Sequence, residues 1–154
     1  MGVSVKNILV LHGVNLNMFG KRDPAVYGTM TLAQIDEQLV ALGKELNVAV
    51  TTFQSNLEGE MCSRIHQAFL DKIDAIVINA GAWTHYSYAL GDAIELFKNG
   101  VVVEVHMSNV HARDPFRHFS VMANYVKGQI CGFGPDSYLL GLRAAVNILA
   151  RAGT

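Results

Sequence analysis

Residues Ala75-Ile76-Val77-Ile78 form a short, wholly apolar run rich in β-branched side chains. Further on, Leu90, Ala93, Ile94 and Phe97 recur at three- and four-residue steps and stop at Gly100. Val101-Val102-Val103-Glu104-Val105 then repeats the first kind of run. A continuous apolar run of this length suits a strand covered on both faces, and the three- and four-residue step marks one face of a helix. Strand, helix, strand in that order is one crossover of a parallel sheet. The alternation extends both ways along the chain. Asn7–Leu11, Val48–Phe53 and Gln129–Cys131 read as further strands. Leu32, Ile35, Leu39, Leu42 and Leu46 mark a helix opened by a Thr31–Gln34 capping box. Met61, Ile65, Phe69 and Ile73 mark another, and Leu139, Leu142, Val146 and Leu149 a last one with Asp136 or Ser137 as its cap. The expected fold is α/β: a flavodoxin-like three-layer fold with a five-stranded parallel sheet of order 2-1-3-4-5 and helices on both faces. No repeat, linker or low-complexity tract interrupts it, so residues 1–154 read as a single domain.

Composition narrows the function classes. The chain is 51% hydrophobic, with twelve Lys+Arg against thirteen Asp+Glu for a formal net charge of −1. This apolar content excludes a disordered chain. Near-zero charge without a basic run argues against nucleic acid and against a membrane surface. Only 16% of residues are charged, against about 25% in ordinary soluble domains, which points to surface buried in a homo-oligomer. No apolar run reaches the roughly 18 residues of a membrane span, and residues 1–6 show no charged leader. Cys62 and Cys131 fall in unrelated contexts with no CxxC. The expected setting is cytoplasmic, with both thiols reduced.

In sheets of this order, ligands sit beyond the carboxyl ends of the strands, near the switch point between the first and third. Those ends carry His12-Gly13-Val14-Asn15, Gln54-Ser55-Asn56, Asn79-Ala80-Gly81 with Thr84-His85, and Glu104-Val105-His106-Met107-Ser108. Asn, His and Ser gathered in series at one end suit a small, hydroxyl-rich ligand, although polar residues also simply mark loops. Between the first strand and the first helix lies Gly13–Gly28, long for a compact domain and without periodicity. It holds Lys21, Arg22 and Tyr27 between Gly20 and Gly28, which suits either an active-site lid or a mobile surface loop. Glu104 and His106 are two apart on a strand and share a face. A carboxylate there fixes the imidazole tautomer and favours the imidazolium, the form of a general acid, unless the two are only a buried polar pair. Ser108 and the turn backbone beside it suit a carboxylate, and the basic turn Arg113–Arg117 directly follows, bringing Arg117 towards the ligand if it is more than surface charge.

Absences also count. There is no P-loop and no GxSxG, and Gly132-Phe133-Gly134 is too short for a dinucleotide fingerprint. The six histidines show no HExxH and the cysteines do not cluster, so no metal site is expected. No lysine lies at a strand end, which argues against a Schiff base.

Five stretches resemble, in order and at family spacing, the motifs of type II 3-dehydroquinate dehydratases. They are His12-Gly13-Val14-Asn15-Leu16-Asn17 with Gly20-Lys21-Arg22-Asp23-Pro24-Ala25-Val26-Tyr27-Gly28; Gln54-Ser55-Asn56-Leu57-Glu58-Gly59-Glu60; Asn79 through Ala93; Glu104 through Arg117; and Gly128 through Leu140. The resemblance implies dehydration of 3-dehydroquinate to 3-dehydroshikimate by anti elimination through an enolate, with no cofactor. It implies that Tyr27, as a phenolate stabilised by Arg22 and less directly by Lys21, takes the proton next to the ketone. It implies that Asn15 holds the water that donates to the enolate oxygen, and that His106, held by Glu104, protonates the departing hydroxyl. Asn79, Gly81, Ser108 and the Met107 backbone are implied for the substrate carboxylate and its surroundings, His85 and Arg117 for ring hydroxyls. Asp92 is implied to reach the site from a neighbouring subunit of a dodecamer built from trimers. The chain departs from the motifs at His12 (for Asn), Val14 and Ala80 (each for Pro), Gly91 (for Arg) and Asp114 (for Glu). The first two bear on the base of the expected lid, and Gly91 on the subunit contact. Two other functions compete: a sensor that binds the same ligand without turnover, which would not need Tyr27, Arg22 and His106 together, and an FMN carrier, which would want a Ser/Thr-rich phosphate loop where Asn15 and Asn17 stand.

Overall fold

The structure is a computed structural model that describes residues 2 and 4–153. The expectation about the amino-terminal residues falls in part on Met1 and Val3, which lie outside the described residues. Strands β1 (Lys6–His12), β2 (Val48–Gln54), β3 (Ala75–Asn79), β4 (Val101–His106) and β5 (Gly128–Cys131) form one five-stranded sheet of order β2-β1-β3-β4-β5. Every pairing is parallel, as the apolar runs require. The helices are a short α1 (Pro24–Tyr27), then α2 (Leu32–Glu45), α3 (Glu58–Leu70), α4 (Tyr88–Glu95) and α5 (Asp136–Ala152).

Strand alternation splits the core in two. Ile8, Val10, Ala75 and Val77 face one side, where they pack on Ile35, Leu39 and Leu42 of α2 and on Leu142 and Ala145 of α5. Leu9, Leu11, Ile76 and Ile78 face the other, against Met61 and Ile65 of α3 and Leu90 and Ile94 of α4. On the first side the helices come close because Gly43 and Gly141 lack a Cβ. One built on Gly141 would lie 2.5 Å from a Val105 methyl, and one on Gly43 2.6 Å from a Val50 methyl.

Element ends follow local chemistry. The Thr31–Gln34 capping box is formed in both directions, at 3.2 and 2.9 Å. Helix α3 stops at Leu70, before the expected Ile73, because the chain turns through Lys72 at φ 56°; Ile73 still packs on the core from beyond the helix. Likewise α4 ends at Glu95, and Phe97 packs from the following turn. Neither Asp136 nor Ser137 caps α5: Pro135 holds the cap position with no side-chain bond, and Ser137 Oγ instead accepts the Phe133 N–H at 3.0 Å. The parallel register sets His12 beside Gln54 on one side and Asn79 on the other, and His106 beside Cys131. The polar strand ends therefore share one rim of the sheet.

Candidate active site

Above that rim is a cavity of about 210 Å³. The Gly13–Gly28 segment forms one wall. It is a shaped wall: a 3-10 turn at Leu16–Met18, then α1, which Pro24 opens and Asp23 caps through the Ala25 N–H at 3.0 Å. Leu16 and Phe19 are buried and anchor its near half, while Gly20 and Gly28 adopt φ values of 84° and 72° at either end of the Arg22–Tyr27 span. Asn15 has φ 69°, a left-handed conformation that Asn tolerates better than most residues. Asn56 holds it there, accepting the Asn15 N–H at 2.8 Å, while Gln54 bonds both Asn56 and the Gly13 carbonyl. The Gln54-Ser55-Asn56 stretch thus works as a brace for this wall. Asn15, Arg22 and Tyr27 all line the cavity, whereas Lys21 is exposed and does not. The Arg22 guanidinium lies 4.5 Å from the centre of the Tyr27 ring.

A second part of the lining comes from the end of β4. His106 Nε2 donates to Glu104 Oε2 at 2.9 Å, so Nδ1 is the ring nitrogen left for a ligand. Glu104 lines no part of the main cavity; it is buried behind His106. Its carboxylate also accepts from Ser120 Oγ at 2.5 Å and from Gln129 Nε2 at 2.8 Å. Three donors around one buried carboxylate compensate the cost of burying it and fix the imidazole beside it. Ser120 and Gln129 are functional neighbours with no sequence signal, since they come from elements remote in the chain.

His85 stacks on His106, with ring centroids 6.2 Å apart at 22°. Its Nδ1 donates to the Phe119 carbonyl at 2.7 Å. Burial pushes the His85 imidazole down, and the charges of His106 and Arg117 add to this against the opposing carbonyl bond. His85 therefore offers a neutral Nε2 acceptor, suited to a hydroxyl. Asn79, Gly81, Met107 and Ser108 line the floor. Both arginines of the basic turn reach the cavity. Arg117 pairs with Asp114 at 3.3 Å, while Arg113 donates to Ser108 Oγ at 3.0 Å and lies 5.4 Å from the Tyr27 ring centre. Arg113 is the residue that sequence reasoning passed over, although its position in the fourth motif was the available signal. Asp92 is exposed on α4 and lines no part of the cavity in its own chain. Among the described residues, no group of three or more His, Cys, Asp or Glu converges as metal ligands would, and no helix is long and apolar enough to cross a membrane.

The model of the family described as dehydroquinase class II matches residues 6–146. The chain belongs to the class II dehydroquinase family. It is 68% identical over 149 residues to the 3-dehydroquinate dehydratase of Leptothrix cholodnii, covering 96% of this chain and 99% of that one. It is 61% identical to that of Syntrophotalea carbinolica, covering 94% and 97%. The crystal structure of the type II dehydroquinase from Propionibacterium acnes superposes with a TM-score of 0.89 at 40% identity, covering 95% of this chain and 99% of that one.

Against the class II motifs, each of the five departures has a local setting; Asp114 pairs with Arg117. His12 is not at a loose loop base: it is fully buried and bonded through both ring nitrogens. Ala80 is fully buried, and its carbonyl leaves no room for a Cβ on Gly13. Val14 presents its carbonyl 2.8 Å from where a Cβ on Gly81 would sit, and Gly81 has φ 61°. A Cβ on Gly91 would lie 3.1 Å from the Val121 carbonyl, so glycine fits this backbone approach where arginine would crowd it.

Proposed function

We propose that this chain dehydrates 3-dehydroquinate to 3-dehydroshikimate by anti elimination through an enolate, without a cofactor. The observation that carries the reading is that Tyr27, with Arg22 beside it, and His106, backed by Glu104, line one small cavity from two different segments of the chain. Two proton-transfer groups brought to one cavity by separate elements suit removal of a proton and of a hydroxyl from one ring. Tyr27, as phenolate, takes the proton beside the ketone, and the electron pair left on carbon moves to the ketone oxygen. A water held by Asn15 donates to that oxygen. The enolate then collapses to the conjugated double bond, and the C1 hydroxyl leaves as water with the proton from His106 Nδ1. Tyr27 is left neutral and His106 without its extra proton, and solvent exchange resets both. Asn79, Ser108 and the Met107 N–H hold the carboxylate beside Gly81, with Arg113 fixing the Ser108 hydroxyl. His85 and Arg117 hold ring hydroxyls.

In this reading residues 1–154 act as one catalytic domain in the cytoplasm, in the shikimate pathway or in quinate breakdown. The assembly is a dodecamer of trimers in which Asp92 completes a neighbour's site. The low charged fraction supports burial of surface between subunits. The test is incubation of the purified protein with 3-dehydroquinate while the ultraviolet absorbance of the conjugated product is followed. Rising absorbance is expected. Binding of substrate without any rise would favour the sensor reading instead.

A further inference from the structure

His85 and His106 stack on each other but stand on separate elements. His85 ends the 3-10 turn Gly81–His85, and His106 ends β4. The sheet does not tie these two ends together. The pairing of β3 with β4 stops at Ile78 and Glu104, short of His106. His106 is paired on the other side of its strand, with Cys131 of β5.

Three consecutive residues of the loop before β5 bridge the gap. The Phe119 carbonyl accepts from His85 Nδ1 at 2.7 Å. The Ser120 hydroxyl donates to Glu104 Oε1 at 2.5 Å, and Glu104 Oε2 holds His106 Nε2 at 2.9 Å. The Val121 N–H donates to the Thr84 carbonyl at 2.8 Å. Residues 119 and 121 are therefore bound to the His85 turn, and residue 120 to the His106 strand. The directions follow from the groups themselves. A carbonyl only accepts, so His85 Nδ1 carries a proton whether its ring is neutral or charged. The Met122 N–H donates to Ser120 Oγ at 3.2 Å, which leaves the hydroxyl proton for Glu104.

The loop is itself anchored. Met122 is wholly buried and shares a core cluster with Leu90, Ala93 and Ile94 of α4. The Lys127 N–H donates to the Val102 carbonyl at 2.7 Å. Phe119 and Ser120 line a second cavity of about 120 Å³, which His85, Glu104 and His106 also line; neither lines the main cavity.

We infer that Phe119-Ser120-Val121 is a clip that sets His85 and His106 relative to each other, with Ser120 as a positioning residue for the acid. Ser120 acts through Glu104 and the imidazole that Glu104 holds. Without its hydroxyl the loop stays bonded to the His85 turn, while Glu104 keeps only the Gln129 bond from β5 besides His106. Nothing then ties the strand end to the turn. The inference rests on the reading of His106 as the acid.

Two measurements test it. Ser120→Ala is expected to lower kcat for 3-dehydroquinate about tenfold and to change KM less than about threefold, the loss of one hydrogen bond that orients the acid. Ser120→Thr, which keeps the hydroxyl, is expected to restore kcat to within about threefold. In a Glu104→Gln background, Ser120→Ala is expected to cost little more, because both act through the same imidazole. A merely structural Ser120 would lower the melting temperature and leave kcat of the folded enzyme unchanged, and that result overturns the proposal. So does a full additional loss in the double variant. The second measurement needs no activity. In a crystal structure of Ser120→Ala the His85–His106 stack is expected to open, and in Ser120→Thr to persist. An unchanged stack in the alanine variant overturns the clip. If the unaltered protein forms no product, the dehydratase reading fails, and the two crystal structures still decide the clip.

Discussion

At the scale of single residues, Tyr27 lies between two guanidinium groups, Arg22 at 4.5 Å and Arg113 at 5.4 Å from its ring centre. Among the residues of the Gly13–Gly28 segment that line the cavity, Tyr27 is the one whose side chain can take up a proton. Tyr27→Phe is therefore expected to lower kcat by about 10²–10⁴-fold, with product affinity largely kept, because only the hydroxyl is lost. Retention of more than about a tenth of kcat in a steady-state assay would move the base elsewhere. On the β4 part of the lining, His106 depends on Glu104, and Glu104 on its three donors. Glu104→Gln brings an NH₂ group among those donors, so at least one contact becomes donor against donor. The imidazole then loses its fixed tautomer. His106→Ala is expected to be nearly inactive, Glu104→Gln impaired, and the double variant no worse than His106→Ala alone, since Glu104 acts through the ring it holds. Additive losses in kcat would show Glu104 acting on its own.

At the scale of elements, α5 crosses the sheet where Gly141 meets Val105, Val77 and Val103. Gly141→Ala adds a methyl 2.5 Å from the Val105 side chain. Overpacking costs about 1–3 kcal/mol, against a helix-propensity gain of up to about 1 kcal/mol. The variant is expected to melt several degrees lower; an unchanged melting temperature would mean that the helix shifts freely over the sheet. Much of this layer was legible in the sequence. The Ile8–Leu11 run alternates between two cores, and the Thr31–Gln34 box is a local bond that needs nothing beyond its own helix. What was not legible depends on the path of the backbone. Ile73 keeps the helical period but lies past a left-handed turn at Lys72. Arg113 and Arg117 both fall in the fourth motif, and only the course of their turn gives Ser108 to the former. His12 and Tyr138 are 126 positions apart, so no periodicity links them.

At the scale of the whole molecule, the exposed aromatics Tyr86, Tyr88, Phe116 and Phe119 stand on segments next to the cavity, and Asp92 is exposed on the helix that Tyr88 opens. His85 bonds the Phe119 carbonyl and packs its ring on Phe116 at 5.7 Å, so this surface is continuous with the site. Exposed apolar surface of this kind suits burial against another copy, and a carboxylate on its edge suits a contact with that copy's site. If Asp92 completes a neighbour's site, each site needs its own Tyr27 and another chain's Asp92. Tyr27→Phe and Asp92→Asn proteins, each nearly inactive alone, are then unfolded and refolded together so that subunits mix. In a cyclic trimer half the chains keep Tyr27, and half of their relevant neighbours keep Asp92, so about a quarter of the sites are whole again. Activity is expected to return to about that fraction of the unaltered enzyme. Were both residues drawn from one chain, no mixture could assemble a complete site. Mixed oligomers verified by mass but still inactive would therefore assign Asp92 to its own subunit or remove it from the chemistry.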